Sequence, residues 1–177
     1  MKTYILLLRG INVGGHRKIK MADLRATLEK IGFQKVASYI QSGNVIFSSD
    51  ESDVSKIQQK IEQHIAAHFG FDVKCFIISE KKFTAIIKNN PFLKKGEPIE
   101  KLYCTFLEGT PLPESIQNLN EYRVDDEEYT HRDNILYFCY HNGYGKAKIS
   151  NPFIEKKLKL GATTRNWKTM LKLRDMI

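Results

Sequence analysis

The stretch from Tyr4 to Leu8, which reads YILLL, restricts the possible folds of this chain more than any other feature. Five consecutive apolar residues are too few for a helix, and they show no alternation of apolar and polar positions. They therefore predict a central β-strand that is buried on both faces. The chain has to build a sheet and its covering helices around this early strand.

The residues that follow predict a β-α-β-β-α-β order, which is that of the split βαβ or ferredoxin-like unit. Gly32 ends the first helix, Ser42-Gly43-Asn44 is a tight hairpin signal, and Asp50 and Ser52 are candidate N-caps of the second helix. The predicted elements after the first strand are a helix over 21–31, strands over 36–41 and 45–48, a helix over 54–69 and a strand over 73–78.

The second half of the chain repeats most of this order. The predicted elements are a strand over 101–107, a short helix over 113–119, strands over 121–130 and 135–141, a helix that begins at Asn151, and a last helix over 164–176. We therefore predict an α+β protein of two tandem ferredoxin-like (alpha-beta plait) units, with mainly antiparallel sheets and a C-terminal helix. The first unit spans residues 1–90 and the second 99–177, with a linker over 91–98.

Charge and cysteine content limit the possible partners and the compartment. The net charge of +8, from 28 basic and 20 acidic residues, favours anionic partners. Cys75, Cys104 and Cys139 are an odd, widely spaced set in apolar stretches, which indicates reduced, buried thiols and a cytoplasmic protein. No segment approaches 18 consecutive apolar residues, so we expect no membrane partner.

The loop from Arg9 to Lys20 is the first candidate site, because connections of two to six residues usually suffice. In a split βαβ unit the end of the first strand and the hairpin 41–44 lie at the same edge of the sheet. Glycine amides, the helix N-terminus and basic side chains there predict an anion site. The candidate ligand-binding residues at this rim are Arg9, Gly10, Asn12, Gly14, Gly15, Lys18, Gln41, Ser42 and Asn44.

A second candidate is the stretch Ala162 to Trp167, ATTRNW. Thr163 or Thr164 is the expected N-cap of the last helix, which puts Arg165 and Asn166 in its exposed first turn. Our hypothesis is that Arg165 and Asn166 close over the rim of the first unit. The alternative is a capped helix with a core tryptophan.

The sequence shows no motif of a phosphate loop, a metal site, a cofactor site or a catalytic centre. The phosphate-loop pattern fails, because His16 and Arg17 stand where it requires a lysine and a hydroxyl residue. The histidines, including the pair His64 and His68, show no ligand set, so we expect no metal. No cofactor motif, general base or activated nucleophile is evident, and we leave open whether the protein is an enzyme.

Four long motifs resemble those of the bacterial family known as domain of unknown function 1697. They are LLRGINVGG, KIKMADL, YIQSGNVIF and ATTRNW, and the resemblance runs from Ile5 to about Leu173. It implies a duplicated ferredoxin-like architecture and no established activity or ligand.

The leading hypothesis is a binding protein for a phosphorylated or otherwise anionic small ligand at the rim. Nucleic acid is a possible alternative partner, with the basic segment from Lys146 to Arg174 as its footprint. An enzyme that uses the same pocket, or a protein-interaction module, are the remaining alternatives. The oligomeric state is not predicted.

Overall fold

The computed structural model describes all residues from Met1 to Ile177. The chain divides into two compact units, one of residues Met1–Ile86 with Leu173–Ile177 and one of residues Ile87–Lys172. Each unit contains one four-stranded antiparallel sheet with its helices, so the predicted α+β class is confirmed. None of the helices has both the length and the apolar character needed to cross a membrane.

Unit 1 follows the predicted order of elements. They are β1 (Lys2–Leu8), α1 (Met21–Lys30), β2 (Gln34–Tyr39), β3 (Asn44–Ser49), α2 (Val54–Phe69), β4 (Cys75–Ser79) and α3 (Glu80–Lys88), the last of which crosses the unit boundary. The sheet order is β2-β3-β1-β4, and β1 is antiparallel to both of its neighbours. The strand predicted to be central is therefore central.

Both faces of β1 are buried, as the apolar run predicts. Tyr4, Leu6 and Leu8 point into the core with the apolar stripes of α1 and α2. Ile5 and Leu7, on the opposite face, are fully excluded from solvent. Burial of such side chains stabilises the fold by about 1.5–3 kcal/mol each.

The N-cap of α2 differs from the prediction, whereas its C-terminal end agrees with it. Asp53, rather than Asp50 or Ser52, is the N-cap, because its carboxylate accepts hydrogen bonds from the backbone N–H groups of Ser55 (2.9 Å) and Lys56 (3.3 Å). Gly70 ends the helix with a φ of 78°, as predicted.

Unit 2 contains a fourth strand where the sequence analysis expected only a helix. Its elements are α4 (Pro91–Lys94), β5 (Leu102–Leu107), α5 (Pro113–Asn120), β6 (Glu127–Arg132), β7 (Ile135–Tyr140), α6 (Asn151–Leu158), β8 (Ala162–Asn166) and α7 (Trp167–Asp175), which crosses the unit boundary. The sheet order is β6-β7-β5-β8. The fourth strand, β8, pairs with β5, so the predicted helix over 164–176 begins only at Trp167.

Two further boundaries in unit 2 differ from the prediction. The expected linker 91–98 contains α4, whose first turn is capped by the Asn90 side chain and begins with a proline. The strand predicted from residue 121 begins at Glu127, because the acidic segment before it forms turns. The apolar stretches themselves lie in strands and helices where we expected them.

Candidate functional site

The end of β1 is held between two other segments of unit 1. The Leu8 N–H donates to the carbonyl of Gly43 at 2.8 Å, and the Arg9 N–H donates to the carbonyl of Lys74 at 3.0 Å. The 9–20 loop therefore leaves the sheet with the β2–β3 hairpin on one side and the start of β4 on the other. The loop and the hairpin therefore meet at one edge of the sheet.

Asn12 ties the loop to the hairpin through its side-chain amide. Its Nδ2 donates to the carbonyls of Gln41 (2.7 Å) and Ile19 (2.9 Å), and its Oδ1 accepts from the Ile19 N–H (2.9 Å). The Asn12 backbone has a φ of 55°, a left-handed conformation that asparagine tolerates better than most residues. The contacts of Asn12 thus position the rim.

Gly14 and Gly15 form the tip of a small hairpin within the loop. The His16 N–H donates to the Val13 carbonyl at 3.1 Å, and both glycines have positive φ, 58° and 79°. Positive φ at two successive residues suits a type I′ turn. The tip is exposed, and Val13 beside it keeps 67% of its surface in solvent.

The hairpin residues of the candidate set divide between surface and interior. Gln41 and Ser42 are exposed, whereas Asn44 is fully buried. The Asn44 Nδ2 donates to the Tyr39 carbonyl (3.1 Å) and to Ser42 Oγ (2.9 Å), so this amide stabilises the turn from within. Ile40 beside them has a φ of 52°, a strained conformation for a β-branched residue that costs about 1–3 kcal/mol.

Two basic residues of the loop, Arg9 and Arg17, lie on the β4 side of the strand end. Arg9 and Arg17 line a cavity of about 590 Å³ together with Lys74, which directly precedes β4. The Arg17 guanidinium lies over Gly10, where an added Cβ would be 3.8 Å from Nη1. Lys18 is exposed and does not line this cavity. The structure therefore places Arg9, a predicted site residue, in one recess with two further cations, Arg17 and Lys74, and leaves the predicted Lys18 outside it.

Two carboxylates, those of Glu62 on α2 and Asp72 before β4, line the same cavity. One oxygen of Glu62 accepts hydrogen bonds from the Cys75 N–H (2.9 Å) and from Gln58 Nε2 (3.0 Å), which ties it to the protein. Three cations against two carboxylates leave a net positive charge in the recess.

A larger cavity of about 720 Å³ lies between α1 and α2 and contains none of the predicted site residues. Its lining includes Lys30, Lys60, His64 and His68, with the apolar side chains of Ala26, Ile31 and Ala67 between them. We give it less weight than the smaller cavity, because its polar groups point to no one ligand chemistry.

The prediction that Arg165 and Asn166 lie in the exposed first turn of a helix is wrong, because both residues belong to β8. Arg165 lies inside β8 and is 8% exposed, with Nη1 donating to Thr163 Oγ1 (2.7 Å) and to the Thr164 carbonyl (2.9 Å). Its burial lowers the pKa of the guanidinium from its usual value. Asn166 is the residue that caps α7, since its Oδ1 accepts from the Thr169 N–H at 2.8 Å.

A second group of reactive side chains lies in unit 2 and was not singled out from the sequence. Glu97, Cys139 and His141 place a carboxylate oxygen, a sulfur and a ring nitrogen within 4.8 Å of one another. The signal that was available is the Cys-x-His spacing at the end of β7, because residues two apart on a strand face the same side.

Together, the fold and the site define a class: a basic α+β protein of two units, with a cationic recess at the edge of the first sheet. The chain belongs to a family of proteins of unknown function, DUF1697, whose model matches residues 1–137. The resemblance noted from the motifs is thereby confirmed.

A solved structure similar to this chain is that of the conserved bacterial protein SP0830 from Streptococcus pneumoniae. The two chains are 29% identical, with a TM-score of 0.76, and the alignment covers 99% of this chain and 98% of the other. No curated protein matches this chain.

Proposed function

We propose that this protein binds a small anionic ligand, phosphorylated or carboxylated, at the end of β1. The observation that carries the proposal is the joint placement of Arg9, Arg17 and Lys74 around one cavity of about 590 Å³. A volume of this size is in the range that accommodates small-molecule ligands.

Two guanidinium groups in one recess suit an oxyanion, because each offers a planar fork of donors that matches phosphate or carboxylate oxygens. Lys74 adds a third, compact positive charge to the lining of the recess. Glu62 and Asp72 lower the positive potential, so they favour ligands that also carry a donor, such as a hydroxyl or amino group, over bare anions. The predicted ligand is therefore a small polar metabolite with an anionic group.

The rest of the rim supports the recess. The amide of Asn12 fixes the loop to the carbonyl of Gln41, and the hairpin tip at Gly14 and Gly15 reverses the chain so that Arg17 returns over Gly10. In this proposal Arg9 and Arg17 contact the ligand, whereas Asn12 and Asn44 position the loops. Lys18, Gln41 and Ser42 remain candidates at the solvent-exposed side of the rim.

The test is isothermal titration calorimetry with inorganic phosphate, pyrophosphate and phosphoserine as probes. We expect binding of at least one probe, weakened about 10–100-fold by Arg9→Ala or Arg17→Ala, since a charge-assisted hydrogen bond contributes about 1.5–3 kcal/mol. Lys56→Ala, on the first turn of α2, removes one positive charge away from the recess and is the matched control. Absence of binding by the wild type, or equal weakening in the control, would contradict the proposal.

The salt dependence of the binding affinity distinguishes a nucleic-acid partner from a small ligand. Between Lys146 and Arg174 there are nine basic residues and one acid, Glu155. Several are engaged within unit 2, since Arg165 is buried, Lys157 donates to Tyr122 Oη at 2.6 Å and Lys168 pairs with Glu100 at 3.3 Å. Binding of a single-stranded oligonucleotide that falls steeply with salt and persists in Arg9→Ala would favour the nucleic-acid reading instead.

We infer that both units have the ferredoxin-like topology. The support is that β2-β3-β1-β4 and β6-β7-β5-β8 are the same order, each with its first strand antiparallel to both neighbours. We also propose a cytoplasmic location, which the three free, buried cysteines support because a reducing compartment keeps thiols unpaired.

A further inference from the structure

The cluster of Glu97, Cys139 and His141 is assembled by two segments of unit 2, the turn after α4 and the end of β7. Cys139 lies near the end of β7 and His141 directly follows that strand, so both side chains point to the same side. Glu97 comes from the turn after α4. Its Oε2 is 3.7 Å from the Cys139 Sγ, which in turn lies 3.8 Å from Nδ1 of His141.

These separations fit the edges of a tetrahedral metal site. Zinc lies about 2.3 Å from a thiolate sulfur, about 2.0–2.1 Å from an imidazole nitrogen and about 2.0–2.2 Å from a carboxylate oxygen, so in a tetrahedral site the sulfur stands about 3.6 Å from the nitrogen or the oxygen. The sulfur-to-oxygen and sulfur-to-nitrogen distances are already within a few tenths of an ångström of that value. The third edge, from the Glu97 oxygen to the His141 nitrogen, is at most 4.8 Å, so the three atoms already surround a space in which one ion can be bound.

His141 is oriented as a metal-binding histidine is. Its Nε2 lies 3.0 Å from Oε1 of Glu128, so the proton of the neutral ring belongs on Nε2, where it donates to the carboxylate. The lone pair of Nδ1 then faces Cys139. Lys95 holds the other oxygen of Glu128 at 3.1 Å, and Glu128 is the cross-strand partner of Cys139. A carboxylate behind a ligating histidine is a recurrent feature of zinc sites, where it fixes the ring and raises its basicity.

Access and burial also suit a metal ion. Cys139 is fully buried, whereas Glu97 and His141 are partly exposed, so an ion has a route in from solvent on the side of the carboxylate and the ring. Thiolate, imidazole and carboxylate together favour zinc and neighbouring divalent transition metals over magnesium or calcium, which prefer oxygen ligands.

A cysteine nucleophile with His141 as its base and Glu128 behind the base is the competing interpretation of the same atoms. The burial of the sulfur disfavours it, because the Cys139 side chain has no solvent exposure through which a substrate would reach it.

We propose that Glu97, Cys139 and His141 bind one divalent transition-metal ion of the zinc class, with Glu128 as the outer partner that orients His141. Three protein ligands leave a further coordination position for water or a small ligand. All three ligands belong to unit 2, and none of them lines the anion recess.

The experiment is a titration of the full-length, reduced and metal-free protein with Co²⁺, followed by displacement with Zn²⁺. We expect one ion per chain, with the near-ultraviolet charge-transfer absorption of a cobalt–thiolate bond and its disappearance when Zn²⁺ is added. Cys139→Ser abolishes the charge-transfer band, and His141→Gln weakens binding by at least about 100-fold. Glu128→Gln keeps all three ligands and weakens binding about 10–100-fold.

Two control variants make the test specific. Cys104→Ala removes another buried thiol of unit 2, and His131→Gln removes another histidine of the same sheet. Both should retain the band and the affinity, and far-ultraviolet circular dichroism identifies any variant that fails to fold. The proposal is overturned if the wild type takes up no Co²⁺, if the bound Co²⁺ shows no thiolate band, or if folded His141→Gln and Glu128→Gln bind as the wild type does.

Discussion

Replacement of Asn12 tests whether one side chain joins the two loops of the rim. Asn12→Gly removes the amide and keeps a residue that adopts the observed φ of 55° without strain. Three hydrogen bonds are lost, those to the carbonyls of Gln41 and Ile19 and that from the Ile19 N–H. We expect the protein to fold and to be clearly less stable.

The expected loss follows from the three hydrogen bonds. A hydrogen bond of this kind contributes about 0.5–1.5 kcal/mol net, and a buried donor left without a partner costs about 1–3 kcal/mol. Ile19 is only 2% exposed, so its N–H is not readily rehydrated. The sum is about 2–4 kcal/mol for Asn12→Gly. Asn12→Ala should cost about 1 kcal/mol more, because alanine resists a left-handed backbone.

The assay is guanidinium denaturation followed by far-ultraviolet circular dichroism, with thermal melting as a second measure. A loss of 2–4 kcal/mol corresponds to a decrease in Tm of about 5–15 °C for a chain of this size. Asn142→Gly, at an exposed loop position of unit 2, is the matched control and should change stability by less than about 0.5 kcal/mol. If Asn12→Gly behaves like this control, the structural role assigned to Asn12 is wrong.

Three further predictions concern other parts of the chain. Gly43→Ala should lower the free energy of unfolding, measured by chemical denaturation, by about 2–5 kcal/mol, because Gly43 has a φ of +75° and the new Cβ would lie 2.6 Å from Leu8 Cβ. Gly15→Ala is the control and should cost only about 1–2 kcal/mol, because no other atom lies within 4 Å of the new Cβ. Glu127→Ala should cost about 2–4 kcal/mol, since the buried carboxylate accepts from the N–H groups of Lys148 and Ile149, and a loss below 1 kcal/mol would contradict this. Burial raises the pKa of Tyr137 and Tyr140, so the free energy of unfolding should fall as the pH rises above about 10, where these two tyrosines ionise in the unfolded chain but not in the folded one. Tyrosinate absorbance that accounts for all eight tyrosines before the protein unfolds would refute it.

Most of unit 1 was predictable because its signals are local. An apolar run with no alternation, a helical stripe ended by glycine and a Ser-Gly-Asn hairpin each determine an element without reference to distant residues. The N-cap of α2 was missed by a few positions, since Asp50, Ser52 and Asp53 are all competent caps and only the backbone geometry chooses Asp53. Such choices depend on where the preceding strand ends.

The fourth strand of unit 2 was missed because its sequence has two valid local interpretations. Thr163 and Thr164 are good N-caps and also good strand residues, and Arg165 is charged, which argues against a buried strand. Pairing with β5 decides the matter, since it aligns Arg165 with Cys104 and Thr164 with Thr105. The Thr105 and Thr164 hydroxyls are then 2.8 Å apart, a contact that no local pattern reveals.

At both candidate sites, the residues of one segment could be predicted to lie together, whereas the residues that strand pairing or a distant turn brings in could not. Arg9 and Arg17 belong to one loop, so their proximity could be predicted, whereas Lys74 joins them only because β4 pairs with β1. In unit 2, Cys139 and His141 are two residues apart, but Glu128 becomes their neighbour through the β6–β7 register and Glu97 through the turn after α4. A Cys-x-His pair on a strand is weak evidence of a metal site by itself. It becomes specific when the neighbouring strand and turn supply one carboxylate beside the sulfur and another behind the ring.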